Sequence, residues 1–490
     1  MEDSADIPGP SSLPSSPPRR RGGRWRWWMT LLVLAAPIAV WTWSNHVASQ
    51  GLLNRFKAQG LPTTPAELNR WYAPVAPQDN MALPLIDAAG AVRSPVSKGS
   101  SNFPYFSGRI PWPGTTNTLP GPPHPVPPEE LARWRKVVEG MPEAWAALER
   151  ARGRRLSRYP IDLRSGFLTT LPHLAQTKLL AQACALRALV AIEDGKPQDA
   201  ALAIGDGLLI HESLLPEPLW ISQLVGMASL SITLDGATDV LSAGPLPVDS
   251  LERLQRRLES FATTNRFAGA MVGELSCMME GFHGSPMDQA RAWGFGAGPG
   301  FGPGAPAGPQ LIHATLMALY SALGLNAADE RFCLTTLGQA IDASRLPWPK
   351  ARMADPPITA LLGETEGLAG VLKGRFKSRM FLPSLDNALT RDGVHLAKLR
   401  LGAAMLAIER FRASHEGRVP DRLEDLVPAY LSAVPEDPFD GKPIRYQRSP
   451  EGYSLHSVGT DLRDDDARTR PRAKSSAAAE LDVVLRVRRR

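Results

Sequence analysis

Asp437-Pro438-Phe439-Asp440-Gly441-Lys442-Pro443-Ile444-Arg445-Tyr446, with Gly452-Tyr453-Ser454-Leu455-His456-Ser457-Val458-Gly459-Thr460-Asp461 close behind, is the stretch whose reading decides the fold. Aspartate, proline and glycine punctuate short runs of alternating apolar and polar residues, as turns punctuate strands. The pattern predicts strands over 444–448 and 453–457 across the turn Ser449-Pro450-Glu451-Gly452, and a third over 481–487. Upstream, Leu396, Leu399, Leu401, Met405, Leu406 and Ile408 give a helix a broad apolar face, and Gly417 supplies a stop. Residues 391–490 therefore read as a helix laid on a small antiparallel sheet, an α+β unit.

Further toward the N-terminus the period is helical. Leu174, Leu180, Ala183, Leu186, Leu189 and Ile192 make a wide stripe over 174–192, and Glu193-Asp194-Gly195-Lys196-Pro197 ends it. A second helix is predicted over 198–215 on Ala200, Ala203, Ile204, Leu208 and Leu209. The pair resembles a tetratricopeptide-type hairpin, but no 34-residue period recurs, so 46–390 is expected to be an α-hairpin array. Thr64 before Pro65 reads as a helix cap, and Asp249 with Glu252 as a capping box starting a helix at Leu251. Residues 96–128 and 284–309, dense in glycine and proline, read as irregular connections. The run Gly294-Phe295-Gly296-Ala297-Gly298-Pro299-Gly300 lacks the Gly-Lys-Ser/Thr of a phosphate loop and is interrupted by proline, so it reads as a linker.

The N-terminal end is different in kind. Residues 1–23 are rich in proline, serine and arginine and are expected to be a disordered cytoplasmic tail. Trp27 to Trp43 then carries no charge over seventeen residues, about 26 Å of helix, enough for a thin bilayer span. Tryptophans flank it at both ends, and Arg19, Arg20, Arg21, Arg24 and Arg26 precede it. That arrangement predicts an uncleaved single-pass anchor at 24–45 with the N-terminus inside and the bulk periplasmic or otherwise extracytoplasmic. A cleavable signal peptide is the competing reading, weakened by the bulky tryptophans and the lack of an Ala-x-Ala site.

Charge counts against nucleic acid as a partner. The 490 residues hold 55 Lys+Arg against 49 Asp+Glu, a formal +6. Removing the five arginines before the anchor and the four that end the chain (Arg486, Arg488, Arg489, Arg490) takes +6 to −3, so the body is slightly acidic. The basic ends read as a topology signal and a solvated tail. Cys184, Cys277 and Cys333 lie far apart, with no spacing for a disulfide framework or a zinc site.

For chemistry, the helical middle offers Glu274, Glu280, His283 and His211 as candidates for an extracytoplasmic hydrolase. Glu280-Gly281-Phe282-His283 has the Glu-x-x-His spacing of carboxylate-bridged di-iron bundles, but no second copy accompanies it. No nucleophile elbow, His-Glu-x-x-His or Ser-x-x-Lys motif is present. The catalytic residues are unknown at this stage, and an enzyme is the less favoured class.

The C-terminal motifs, taken together, resemble the soluble head of type II secretion major pseudopilins. The residues that carry the resemblance are Gly417-Arg418-Val419-Pro420, Leu423 to Leu426, Val434 to Gly441, Tyr446, and Gly452 to Asp461. The likeness covers about a fifth of the chain. The family's prepilin cleavage signal is absent, and some 345 residues separate the anchor from this unit, so the module looks borrowed rather than polymer-forming. The resemblance implies calcium in the loop after the Gly-x-Asp turn, here on Asp461, Asp464, Asp465 and Asp466 with Asp482 nearby. It also implies protein partners in a secretion or envelope apparatus. The expectation that follows is a mostly α, membrane-anchored helical-hairpin scaffold ending in a small α+β domain.

Overall fold

The computed structural model describes residues 23–92, 126–263, 265–292, 307–354, 361, 373–467 and 482–489. The N-terminal tail up to residue 22, most of the 96–128 connection and the 468–481 insertion lie outside the described residues. What is described is mostly helical, with one small antiparallel sheet near the C-terminus.

The helices are α1 (Gly23–Ala58), α2 (Pro65–Trp71), α3 (Ala82–Ala91), α4 (Pro128–Glu139), α5 (Pro142–Ala151), α6 (His173–Glu193), α7 (Pro197–Leu214), α8 (Trp220–Ala243), α9 (Val248–Ala262), α10 (Arg266–Glu280), α11 (Pro286–Ala292), α12 (Ala307–Ala322), α13 (Leu325–Ser344), α14 (Lys350–Ala354), α15 (Phe376–Phe381) and α16 (Ala388–Ser414). Local chemistry accounts for several ends. Thr64 Oγ1 accepts from the Glu67 N–H at 3.2 Å while Glu67 Oε2 accepts from the Thr63 N–H at 2.8 Å, so both ends of the α2 cap are satisfied. Gly195, at φ +68°, turns the chain between α6 and α7 where a side chain would be strained. The capping box expected at Asp249 and Glu252 is not formed. Helix α9 begins earlier, at Val248 behind Pro247, which has no side-chain acceptor, and Glu252 turns instead toward Arg256 and Arg410. The connection expected over 284–309 is also partly wrong, because α11 and the start of α12 fall inside it.

The sheet runs β1 (Arg445–Ser449), β2 (Gly452–Ser457), β3 (Val483–Arg488) in that spatial order, antiparallel throughout. Residues on one face of β2 and β3, Tyr453, Leu455, Val483, Leu485 and Val487, are buried in the same apolar core as Leu399, Leu401, Leu406 and Ile408 of α16. That core continues without a break into α7, α8 and α9 through Ile204, Leu234, Leu254 and Leu258. Each of these buried aliphatic side chains contributes about 2 kcal/mol. Gly402 marks how tightly α16 sits: a Cβ there would lie 2.9 Å from Leu234 Cδ2 and 3.0 Å from Leu258 Cδ1. The boundary expected near 391 thus falls at the start of a helix whose far side is shared, and no break in packing separates the sheet from the helical body.

The chain's last residues join the same body. Arg488 N–H donates to Ser242 Oγ at 3.0 Å, and Arg489 Nη2 donates to buried Glu409 Oε2 at 2.6 Å. Arg486, Arg488 and Arg489 are therefore parts of a strand and of an ion pair, not of the solvated tail that composition suggested.

A second core forms where α1 meets α10, α13 and α15. Leu53 and Phe56 of α1 pack with Phe267, Met271, Leu334 and Leu337. The other end of α1 leaves Trp28, Met29, Val33, Ile38, Val40, Trp41, Trp43 and Val47 exposed. Helix α8 is long and apolar enough to cross a membrane, but half of its most apolar window is buried, and it serves the first core.

Candidate functional site

The quoted motif folds around Asp437, which is fully buried. Its Oδ1 accepts from Phe439 N–H at 3.0 Å and Ser457 Oγ at 2.9 Å, and its Oδ2 from Val458 N–H at 2.9 Å and Arg445 Nη1 at 2.8 Å. The loop after α16, the first strand and the end of the second are thereby tied to one carboxylate. Tyr446 and Tyr453 act similarly: Tyr446 donates to Pro420 O at 2.8 Å, and Tyr453 to Glu409 Oε1 at 3.0 Å. Motif residues that look functional in sequence here hold the sheet to its helix.

On the face of the sheet turned from the helices, the register pairs Arg445 with His456 and His456 with Val484. Directly opposed residues share a face, so Arg445 lies beside His456 there. The segment after β2 returns over that face and buries the imidazole. His456 Nε2 lies 2.9 Å from Asp464 Oδ1 and 3.9 Å from Asp482 Oδ2. One ligand atom from each of the three residues lies within 4.8 Å of the others. Main-chain N–H groups of Asp465 and Ala467 donate to Asp482 Oδ2 at 3.2 and 3.0 Å, and Asp466 N–H donates to Asp464 Oδ1 at 3.1 Å. Burial pushes the Asp482 carboxyl above its usual range. Burial also pushes Asp464 upward, but hydrogen bonds from His456 and the Asp466 N–H, with the charge of Arg445, outweigh it and hold Asp464 below its usual range.

Of the four aspartates the resemblance marked for calcium, only Asp464 joins this group. Asp461 accepts from the nearby Arg463 N–H, while Asp465 and Asp466 point main-chain N–H groups at the carboxylates of Asp482 and Asp464. His456 went unmarked because a histidine alternating in a strand carries no ligand signal by itself.

The four candidates of the helical middle are not gathered. Among the described residues no hydrogen bond joins any two of them. His211 Nδ1 is bonded to Gly226 O at 2.9 Å, and burial, with Arg266 beside it, lowers its pKa to about 3. His283 Nε2 pairs with Glu330 Oε1 at 3.0 Å. Glu274 Oε1 accepts from Trp220 N–H at 2.9 Å and lines an apolar cavity of about 230 Å³ with Phe167, Trp220, Leu224, Cys277 and Phe381. Burial raises its pKa to about 7. Glu280, which is exposed, is also raised, by burial first and then by the charge of Asp288.

One constellation that sequence spacing does not reveal joins Ser222, Glu217 and His173. Ser222 Oγ donates to Glu217 Oε1, and Glu217 Oε2 lies 3.0 Å from His173 Nε2. All three residues are buried, and Tyr159 stacks on the imidazole at 4.1 Å. The carboxylate stands between serine and histidine, so the histidine is not placed to take the hydroxyl proton, and the group knits α6 to α8 rather than making a nucleophile.

Comparison with protein-family models, with curated proteins and with solved structures gave no match.

Proposed function

We propose that this protein is a single-pass membrane-anchored scaffold, with its body outside the cytoplasm and a pseudopilin-like C-terminal unit that engages partner proteins of a secretion or envelope apparatus. The observation that carries the reading is a pair of exposed apolar helix faces. Helix α1 exposes Trp28, Met29, Val33, Ile38, Val40, Trp41 and Trp43, and α12 exposes Leu311, Ile312, Leu316 and Leu319, with Leu323 exposed just after it. The turn that follows α12 touches α1 at Gly324, where an added Cβ would lie 2.1 Å from Thr42 Oγ1 and 3.1 Å from Trp41. Aliphatic side chains exposed in that number on one helix call for a cover. A bilayer entered by α1 supplies one, with Trp41 and Trp43 at its surface and α12 lying along it. Leu53 and Phe56 then fix the helical body to the same rod.

Partner binding is assigned to the cleft between the end of α16 and the β1–β2 hairpin. Phe411, His415, Arg418, Asp421, Arg448 and Arg489 line it. The test is photo-crosslinking in living cells from position 418, followed by affinity purification and mass spectrometry. Removal of 391–490 is unsuitable as a control because it would strip the shared core, so Arg418→Glu with Arg448→Glu replaces it. Recovery of the same envelope proteins from the wild type, lost in the charge-reversed variant, supports the scaffold. An identical or empty catch from both contradicts it.

A hydrolase centred on Glu274 is the second reading, favoured by its carboxyl with pKa about 7 beside an apolar cavity. It predicts ester or amide turnover that Glu274→Gln abolishes.

A further inference from the structure

We propose that His456, Asp464 and Asp482 form a binding site for a divalent transition-metal ion of the zinc class. An ion held by bonds of about 2.0–2.2 Å in a tetrahedral shell keeps its ligand atoms about 3.4 Å apart. The two separations from His456 Nε2, 2.9 Å to Asp464 Oδ1 and 3.9 Å to Asp482 Oδ2, straddle that spacing. Small side-chain adjustments therefore suffice to admit an ion. On binding, Nε2 turns its lone pair to the metal and any proton it shares with Asp464 leaves to solvent, so uptake is proton-coupled. Two carboxylates and a neutral imidazole supply a charge of −2 against the ion's +2.

A second observation points the same way. Asp482 Oδ1 is buried and has no hydrogen-bond partner among the described residues, nor has His456 Nδ1. The Asp482 and His456 side chains are both fully buried. A carboxylate buried with one oxygen unmatched is costly unless a cation meets it. Oδ2, the oxygen 3.9 Å from His456 Nε2, is already oriented by the N–H groups of Asp465 and Ala467, outer support that fixes the carboxylate as a ligand and leaves Oδ1 free to share the ion. Arg445 Nε stands 3.6 Å from Asp464 Oδ2, but Asp437 at 2.8 Å and Asp440 at 2.5 Å already pair that guanidinium. Asp464 is 44% exposed, which leaves a route for the ion and an open coordination position toward solvent. Imidazole with two carboxylates suits zinc, cobalt or iron, whereas calcium takes six to eight oxygens.

The test uses the full chain, purified in detergent and stripped with chelator. Cobalt(II) is titrated while its visible ligand-field bands are followed, then zinc(II) is added in competition. The expected result is one ion per chain, displaced by zinc and not by millimolar calcium. Asp464→Asn is expected to weaken binding by about tenfold or more. Because Asp464 is partly exposed, its metal-free unfolding temperature should stay close to that of the wild type. Asp482→Asn should weaken binding as well. No stoichiometric uptake, equal affinity in Asp464→Asn, or displacement by calcium at equal concentration would each overturn the proposal and leave a structural His–Asp pair or a calcium loop.

Discussion

Arg445 Nη1 lies 2.8 Å from Asp437 Oδ2, and this one contact joins the proline-rich loop after α16 to the first strand of the sheet. Both partners are shielded, Asp437 completely. Removing one member of a shielded pair leaves the other without its counter-charge. Asp437→Ala is therefore expected to cost about 3–5 kcal/mol. Asp437→Asn, which keeps some of the acceptors, should cost less. Chemical denaturation followed by circular dichroism measures both, and a loss below about 1 kcal/mol in Asp437→Ala would remove the carboxylate from its central place.

Glu274 makes stability fall as pH rises. Its pKa is about 7 in the fold against 4.5 for the free side chain, so between these values the native state holds a proton that the unfolded state has lost. Stability contributed by the protonated form is full below about pH 4.5 and gone above about pH 7. Glu274→Gln keeps an acceptor for Trp220 N–H and carries no charge. The variant should lose that part of the pH dependence and gain on the order of 2 kcal/mol over the wild type at pH 8. Parallel unfolding curves for the two proteins at pH 5 and pH 8 would contradict this. Asp392, raised by burial to about 6, adds a dependence of the same sign that the substitution leaves in place.

How much of this was legible in the sequence depends on how local each signal is. The hairpin and third strand fell within about two residues of their expected limits because turn chemistry at Ser449-Pro450-Glu451-Gly452 and strict alternation are local properties. Helices α6 and α7 were readable for the same reason, with Gly195 between them. What covers a stripe was not readable. Leu399 and Leu406 announce a buried face, but nothing in their spacing says that α8 and α9 lie against it. The site was half legible: Asp464 stood out as an acid in the loop, with Asp482 near it at the start of the expected third strand, while His456 becomes their neighbour only through the strand register and the return of the chain over the sheet. The scattering of Glu274, His283 and His211 was equally invisible, since it is set by which helices pack together.

His395 sets an opposite pH dependence. It is buried in α16, and neither ring nitrogen has a hydrogen-bond partner among the described residues. The His211 ring is 5.1 Å away. Burial first, then the charges of Arg266, His211 and Lys398, hold its pKa well below the ordinary value. The native state stays neutral where the unfolded chain takes up a proton, so stability is lost as pH falls below about 6.5. His395→Leu removes two unmatched polar atoms. It should stabilise by about 1 kcal/mol at neutral pH and by more at pH 5, read from denaturation midpoints. A destabilised variant at pH 5 would show that the imidazole has an unrecognised partner.

Helix α12 should touch lipid. Leu316 of α12 is 52% exposed, and the turn after this helix touches α1 at Gly324. A Leu316→Cys variant carrying an environment-sensitive dye, reconstituted into vesicles, is expected to be quenched by brominated lipid. Absence of quenching would leave α1 as the membrane contact and assign the α12 face to another cover.

The central claim, an anchored body outside the cytoplasm, is tested most directly by cysteine labelling in intact cells. The native thiols Cys184, Cys277 and Cys333 are all buried, so background is low. Cysteine is placed at Glu416, whose side chain is 87% exposed, or at Ser4 ahead of the arginine cluster, and cells are treated with a membrane-impermeant maleimide. The account predicts that position 416 is labelled without permeabilisation and position 4 only after it. Labelling of position 416 only after permeabilisation would contradict it.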